Sequence, residues 1–157
     1  MTTGTAIKVE LSGVHPRSHR CASAVDAAMI RVQGVYSRCD LRNGTVTLTA
    51  SDEAAARKAL AAFAAAGFYG TSDNDDLQVQ PLAPTTSARL TRAQISGIHN
   101  CCPPCCNAID EAISSVPGVT GHTARPGVTR FFVTGDFESG DLVRALNESG
   151  FSAIIEP

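Results

Sequence analysis

Leu11–Val35 reads LSGVHPRSHRCASAVDAAMIRVQGV, and Ile95–Val119 reads ISGIHNCCPPCCNAIDEAISSVPGV. Laid over one another, they share Ser12/Ser96, Gly13/Gly97, His15/His99, Cys21/Cys105, Ala24/Ala108, Asp26/Asp110, Ala28/Ala112, Val32/Val116, Gly34/Gly118 and Val35/Val119. Leu11/Ile95, Val14/Ile98, Val25/Ile109 and Met29/Ile113 keep apolar character. The match returns, one residue out of step, at Gly67-Phe68 and Gly150-Phe151. Self-similarity at a fixed spacing signals repeated supersecondary units. The 157-residue chain therefore reads as two small domains.

Working outward from the repeat, Ile7, Val9 and Leu11 alternate with polar residues, as do Ala93 and Ile95, which predicts a strand in each copy. Ala24, Val25, Ala28, Met29 and Val32 then fall on one helical face, and Ala108, Ile109, Ala112, Ile113 and Val116 repeat the spacing. Gly34 and Gly118 suit the ends of these helices. Hairpins are predicted at Asn43-Gly44 and Pro126-Gly127. Second helices carry Leu60 and Phe63, or Leu142 and Leu146. Closing strands are expected around Leu77 and Val79, and from Ala153 to Ile155. The order βαββαβ is the ferredoxin-like split arrangement, an α+β fold with both helices on one face of a four-stranded antiparallel sheet. Residues 81–88 have linker composition. The expected division is a first domain at 1–82, a linker at 83–88 and a second domain at 89–157. So short a linker predicts that the domains touch.

A hydrophobic content of 43% with 18% charged residues marks a folding sequence. A net charge of -2 argues against nucleic acid, which demands clustered Lys and Arg. No polybasic segment suits a membrane surface. The longest apolar stretch, Ala59 to Tyr69, is far short of the roughly 20 residues of a spanning helix. Met1-Thr-Thr-Gly-Thr-Ala has neither a basic nor an apolar leader region, so a cytoplasmic location is expected.

Four of the six cysteines, Cys101, Cys102, Cys105 and Cys106, crowd into one loop. A disulfide framework spaces its cysteines out. Adjacent Cα atoms, about 3.8 Å apart, lie below the usual disulfide range. The cluster therefore points to metal ligation or redox chemistry. Cys105 and Cys106 should sit in the first turn of the helix, where unpaired N–H groups favour thiolates. Pro104 suits the helix entrance, and Pro103 keeps Cys102 extended. Cys102 and Cys105 thus form a Cys-Pro-Pro-Cys pair, with Cys101 and Cys106 flanking it. Soft thiolates select Cu(I), Zn(II) and similar ions.

This loop, with the Ile109, Asp110, Ala112, Ile113, Val116 and Pro117-Gly118-Val119 that follow, resembles the heavy-metal-associated domain, a small copper-chaperone module also found in metal-pumping ATPases. Gly150-Phe151 resembles the family's late Gly-aromatic pair. The resemblance covers residues 89–157 well and 5–82 as a decayed copy. It implies that Cys102 and Cys105 are metal ligands, that a donor or acceptor protein is a partner, and that the chain is not an enzyme. Four residues separate Gly97 from Cys102 where the family has two, and the family's methionine is missing. The longer loop, with Cys101, Cys106 and His99 close by, allows more ligands than two. Those extra thiols also suggest a multinuclear site, or a homodimer joined through the loop.

In the first copy Arg17, Ser18 and Ala22 replace Cys101, Cys102 and Cys106, so this domain is expected to be structural. His15, His19 and Cys21 form a weaker candidate N/S site. The matching of His15 and His99 favours a shared structural hydrogen bond, the alternative being a metal or outer-sphere role for His99. Cys39 reads as a small core residue and His122 as a surface one. Asp52-Glu53 and Asp75-Asp76 read as helix-start and turn residues. The rival functions are a thiol–disulfide exchanger using Cys102 and Cys105, and a structural Zn(II) site built from the four loop cysteines.

Overall fold

A computed structural model describes residues 6–14, 19–80, 87–100 and 103–156. The chain runs β1 (Ile7–Ser12), α1 (His19–Met29), β2 (Val35–Asp40), β3 (Thr45–Ala50), α2 (Glu53–Ala65) and β4 (Thr71–Ser72). The order then repeats as β5 (Arg89–Ser96), α3 (Pro103–Ser114), β6 (Val119–His122), β7 (Phe131–Glu138), α4 (Ser139–Glu148) and β8 (Ile154–Glu156). Two four-stranded sheets result, ordered β2-β3-β1-β4 and β6-β7-β5-β8, with every pairing antiparallel. These are two tandem ferredoxin-like domains.

Alternation decides which face of each sheet is buried. In β3, Val46, Leu48 and Ala50 point into the core while the intervening threonines stay partly exposed. Cys21, Val25 and Met29, one residue per turn, are the buried residues of α1. Cys105, Ile109 and Ile113 repeat that stripe on α3. The cysteine thus heads the buried stripe of each helix, at its N-terminal end. α1 packs against α2, and α3 against α4. The alanine-rich α2 has high helix propensity, and the Asp52 carboxylate caps it by accepting from the Ala55 N–H at 2.7 Å.

The closing strand of the first domain differs from expectation. It lies at Thr71–Ser72, and Leu77 and Val79 are buried outside any strand. The reason is turn chemistry in the Ser-Asp-Asn-Asp-Asp run. The Gln78 amide bonds to Ser72 N–H, Ser72 C=O and Asn74 C=O, folding the segment back after two residues. The first hairpin turns as predicted at Gly44 (φ 66°), whereas residues 123–130 form a longer loop around Gly127. Residues 83–86 of the expected linker lie outside the described residues. Among the described residues, no helix is long and apolar enough to cross a membrane.

The two domains meet along a short seam. Phe68 and Phe151, equivalent residues of the two copies, form an antiparallel bridge. On either side of it the Tyr69 N–H donates to Gly150 C=O and the Ser152 N–H to Gly67 C=O, each at 2.9 Å. Those two bonds exchange under the repeat, so the seam has approximate twofold symmetry.

Candidate metal centre

The twofold arrangement brings together the ends of the molecule that carry cysteines. Cys21 and Cys105 are each the third residue of their helix, α1 and α3, and both are fully buried. Their Sγ atoms lie 3.5 Å apart although 84 residues separate them. The His99 Nε2 atom lies 3.4 Å from Cys21 Sγ. All three donor atoms fall within 4.8 Å of one another. Two donors each about 2.3 Å from one ion sit roughly 3.8 Å apart at a tetrahedral angle. The observed spacings are close to that span, so the donor set fits a single soft ion with little rearrangement.

His99 is held from several sides. Its ring stacks on Phe68 of the first domain at 4.3 Å between centroids, and Phe68 stacks in turn on Phe63. Its backbone N–H points at Gly67 C=O at 3.4 Å. A side chain at Gly67 would place its Cβ 2.2 Å from His99 N, so only glycine permits this approach. The next residue, Asn100, is buried and donates from Nδ2 to Arg125 C=O and Val128 C=O at 2.7 and 2.8 Å. The long β6–β7 loop is thereby tied to the cysteine loop. A shallow depression lined by Ala66, Gly97, His99, Asn100 and Gly127 opens beside the site.

Of the residues singled out in the sequence, His99 and Cys105 belong to this group. Cys101, Cys102 and His15 lie outside the described residues. Cys106 is buried beside the group without joining it. Burial, with a smaller contribution from the Asp110 carboxylate, raises its pKa above the ordinary thiol value. The expectation of a stabilised thiolate at Cys106 is therefore reversed: desolvation outweighs the helix terminus. His19 is exposed, as a solvated residue should be. His122 is not the surface residue expected, since its side chain is only 15% exposed and pairs with Asp110. Cys39 packs at the edge of the core.

Cys21 is the ligand candidate that the sequence reading set apart, in a separate site with His15 and His19. The signal for its present role was there. It is one of the repeat identities, and it heads a buried helical stripe as Cys105 does.

No family model matches the sequence, and no curated protein matches it. Among solved structures, the solution structure of the N-terminal soluble domains of Bacillus subtilis CopA is similar at 14% identity and a TM-score of 0.35, over 99% of this chain and 97% of that one. The tandem ferredoxin-like assignment stands on strand order and register, and the candidate metal centre on the buried Cys21, His99 and Cys105 donors.

Proposed function

We propose that this chain is a non-enzymatic binding protein for a thiophilic metal ion, Cu(I) above others, serving its transfer, buffering or sensing. One observation carries the reading: two thiols and an imidazole from both domains are buried with their donor atoms within 4.8 Å. Sulfur and imidazole select soft and borderline ions over Mg²⁺ or Ca²⁺. The charge balance favours a monovalent ion. Two thiolates and Cu(I) leave one negative charge, which two helix N-termini of roughly +0.5 each offset. With Zn(II) the site is neutral before the helix ends are counted, and zinc prefers four ligands. Cys102 joins Cys105 through the Cys-Pro-Pro-Cys spacing. Cys101 and Cys106 are additional thiols for a second ion, and Cys101, since Cys106 is buried, is the one for a second copy of the chain or a donor or acceptor protein. The depression beside His99 offers such a partner an approach. Thiols in this density suit a reducing, cytoplasmic setting.

Protein purified anaerobically is expected to take up Cu(I) with its thiols reduced, read by elemental analysis and by competition with a Cu(I) chelator. Cys105→Ser should lower the affinity at least a hundredfold, about 2.8 kcal/mol, with the far-ultraviolet circular dichroism unchanged. Wild-type affinity in that variant overturns the assignment. A second reading, thiol–disulfide exchange, is favoured by the 3.5 Å separation of Cys21 Sγ and Cys105 Sγ. Metal-free protein with a Cys21–Cys105 or Cys102–Cys105 disulfide that opens reversibly under mild reductant would put that reading first.

A further inference from the structure

We propose that one ion is ligated by Cys21 of the first domain together with His99 and Cys105 of the second, so that the metal clasps the two domains across their seam. The inference rests on the metal-binding reading and adds to it a shared site and a structural consequence. Three independent observations point the same way. First, the Cys105 Sγ lies 3.5 Å from the Sγ of its own repeat equivalent, Cys21. The N-terminal turns of α1 and α3 thus converge on one point. Second, His99 belongs to the second domain by sequence but is held by the first: its ring lies on Phe68, its N–H faces Gly67 C=O, and its Nε2 faces Cys21. Third, the same seam carries the bridge at Phe68 and Phe151, the flanking bonds at Tyr69 and Ser152, and a bond from the Ser152 hydroxyl to Phe68 C=O, so the donors sit beside contacts that docking must form.

A ligand that binds only the docked arrangement stabilises docking by its own binding free energy. The coupling is reciprocal, so anything that loosens the seam weakens the metal by the same factor. In this chain the first domain is therefore a ligand-bearing half of the centre, and the ion reports on or controls domain docking.

The test uses the full chain and Cu(I). Amide exchange of Tyr69 and Ser152, followed by NMR, should slow at least tenfold when one Cu(I) is bound. X-ray absorption at the copper edge should show sulfur together with one imidazole nitrogen. Cys21→Ser should lower Cu(I) affinity at least a hundredfold and remove the slowing. Gly67→Ala changes no donor atom, yet it should also weaken Cu(I) because its Cβ displaces His99. Cu(I) that binds wild type and Cys21→Ser equally, or an all-sulfur shell with unchanged exchange at the seam, overturns the shared site and leaves the metal-binding reading standing. Absence of Cu(I) binding by the wild type overturns both. If Cys21→Ser fails to fold, the absorption and exchange measurements on wild type still decide.

Discussion

In the first domain Cys21 is preceded by Arg17, Ser18, His19 and Arg20 and followed by Ala22; in the second, Cys105 is preceded by Cys101, Cys102, Pro103 and Pro104 and followed by Cys106. The two loops differ at nearly every place where a metal ligand would stand. They agree at Cys21 and Cys105, whose Sγ atoms lie 3.5 Å apart. The surroundings diverge in the same sense: Asp26 accepts from the Ser37 hydroxyl at 2.8 Å, while its equivalent Asp110 pairs with His122 and bears on the Cys106 thiol. A single domain viewed alone would suggest a site confined to residues 101–106.

The sharpest way to break the equivalence of the domains is at the helix-ending glycines. Gly34 (φ +80°) and Gly118 (φ +89°) both occupy the left-handed region, which costs other residues about 1–2 kcal/mol. A Cβ at Gly118 would also lie 1.8 Å from the Asp136 carbonyl oxygen, whereas at Gly34 it meets the exposed Ser51 side chain, which can rotate away. Gly118→Ala should therefore lose about 3 kcal/mol, the upper end of ordinary substitutions. Gly34→Ala should lose the left-handed penalty alone. Urea unfolding of the two variants checks the order, and equal losses would mean that the β6–β7 pairing yields as readily as a serine side chain.

A smaller contrast separates the second helices. Asp52 caps α2 with its side chain, while Glu138 makes no such bond to α4. Asp52→Ala should cost about 1 kcal/mol. Glu138→Ala removes surface pairing with Arg89, at most about 0.5 kcal/mol. Thermal unfolding of both variants measures the difference.

A further contrast concerns pH. Burial, reinforced by the charges of Asp26 and Cys21, pushes the Cys39 thiol from its ordinary 9.0 up to about 11. Folding thus favours the protonated thiol. Its contribution is complete below about pH 9 and is lost as pH rises through about 11. Cys39→Ala should flatten the stability–pH curve in that window. An unchanged slope there would assign the alkaline loss to other groups.

Much of the fold was legible because it is local. The period of Ala24, Val25, Ala28 and Met29, and of Ala108, Ile109, Ala112 and Ile113, defines both helices and the faces on which Val25, Met29, Ile109 and Ile113 are buried. The Val46, Leu48 and Ala50 alternation does the same for β3. The closing strand near Leu77 was misplaced because apolar content resembles strand content, while the Gln78 side chain that folds this segment back acts across six residues. At the site, the position of Cys105 in the first helical turn follows from its own neighbours. Its partner could not be read that way.

What the sequence by itself determined is that the chain contains one unit twice, that each unit is βαββαβ, and that Cys105 lies in the first turn of its helix. These follow from backbone periodicity and side-chain polarity, which act over a few residues. Only the tertiary structure decided that Cys21, His99 and Cys105 share one place, that Cys106 is desolvated beside Asp110, and that His122 turns inward. Those outcomes depend on how two preformed units dock. Among the described residues, docking joins Gly67, Phe68 and Tyr69 to Gly150, Phe151 and Ser152, pairs too far apart in the chain for local periodicity to reveal.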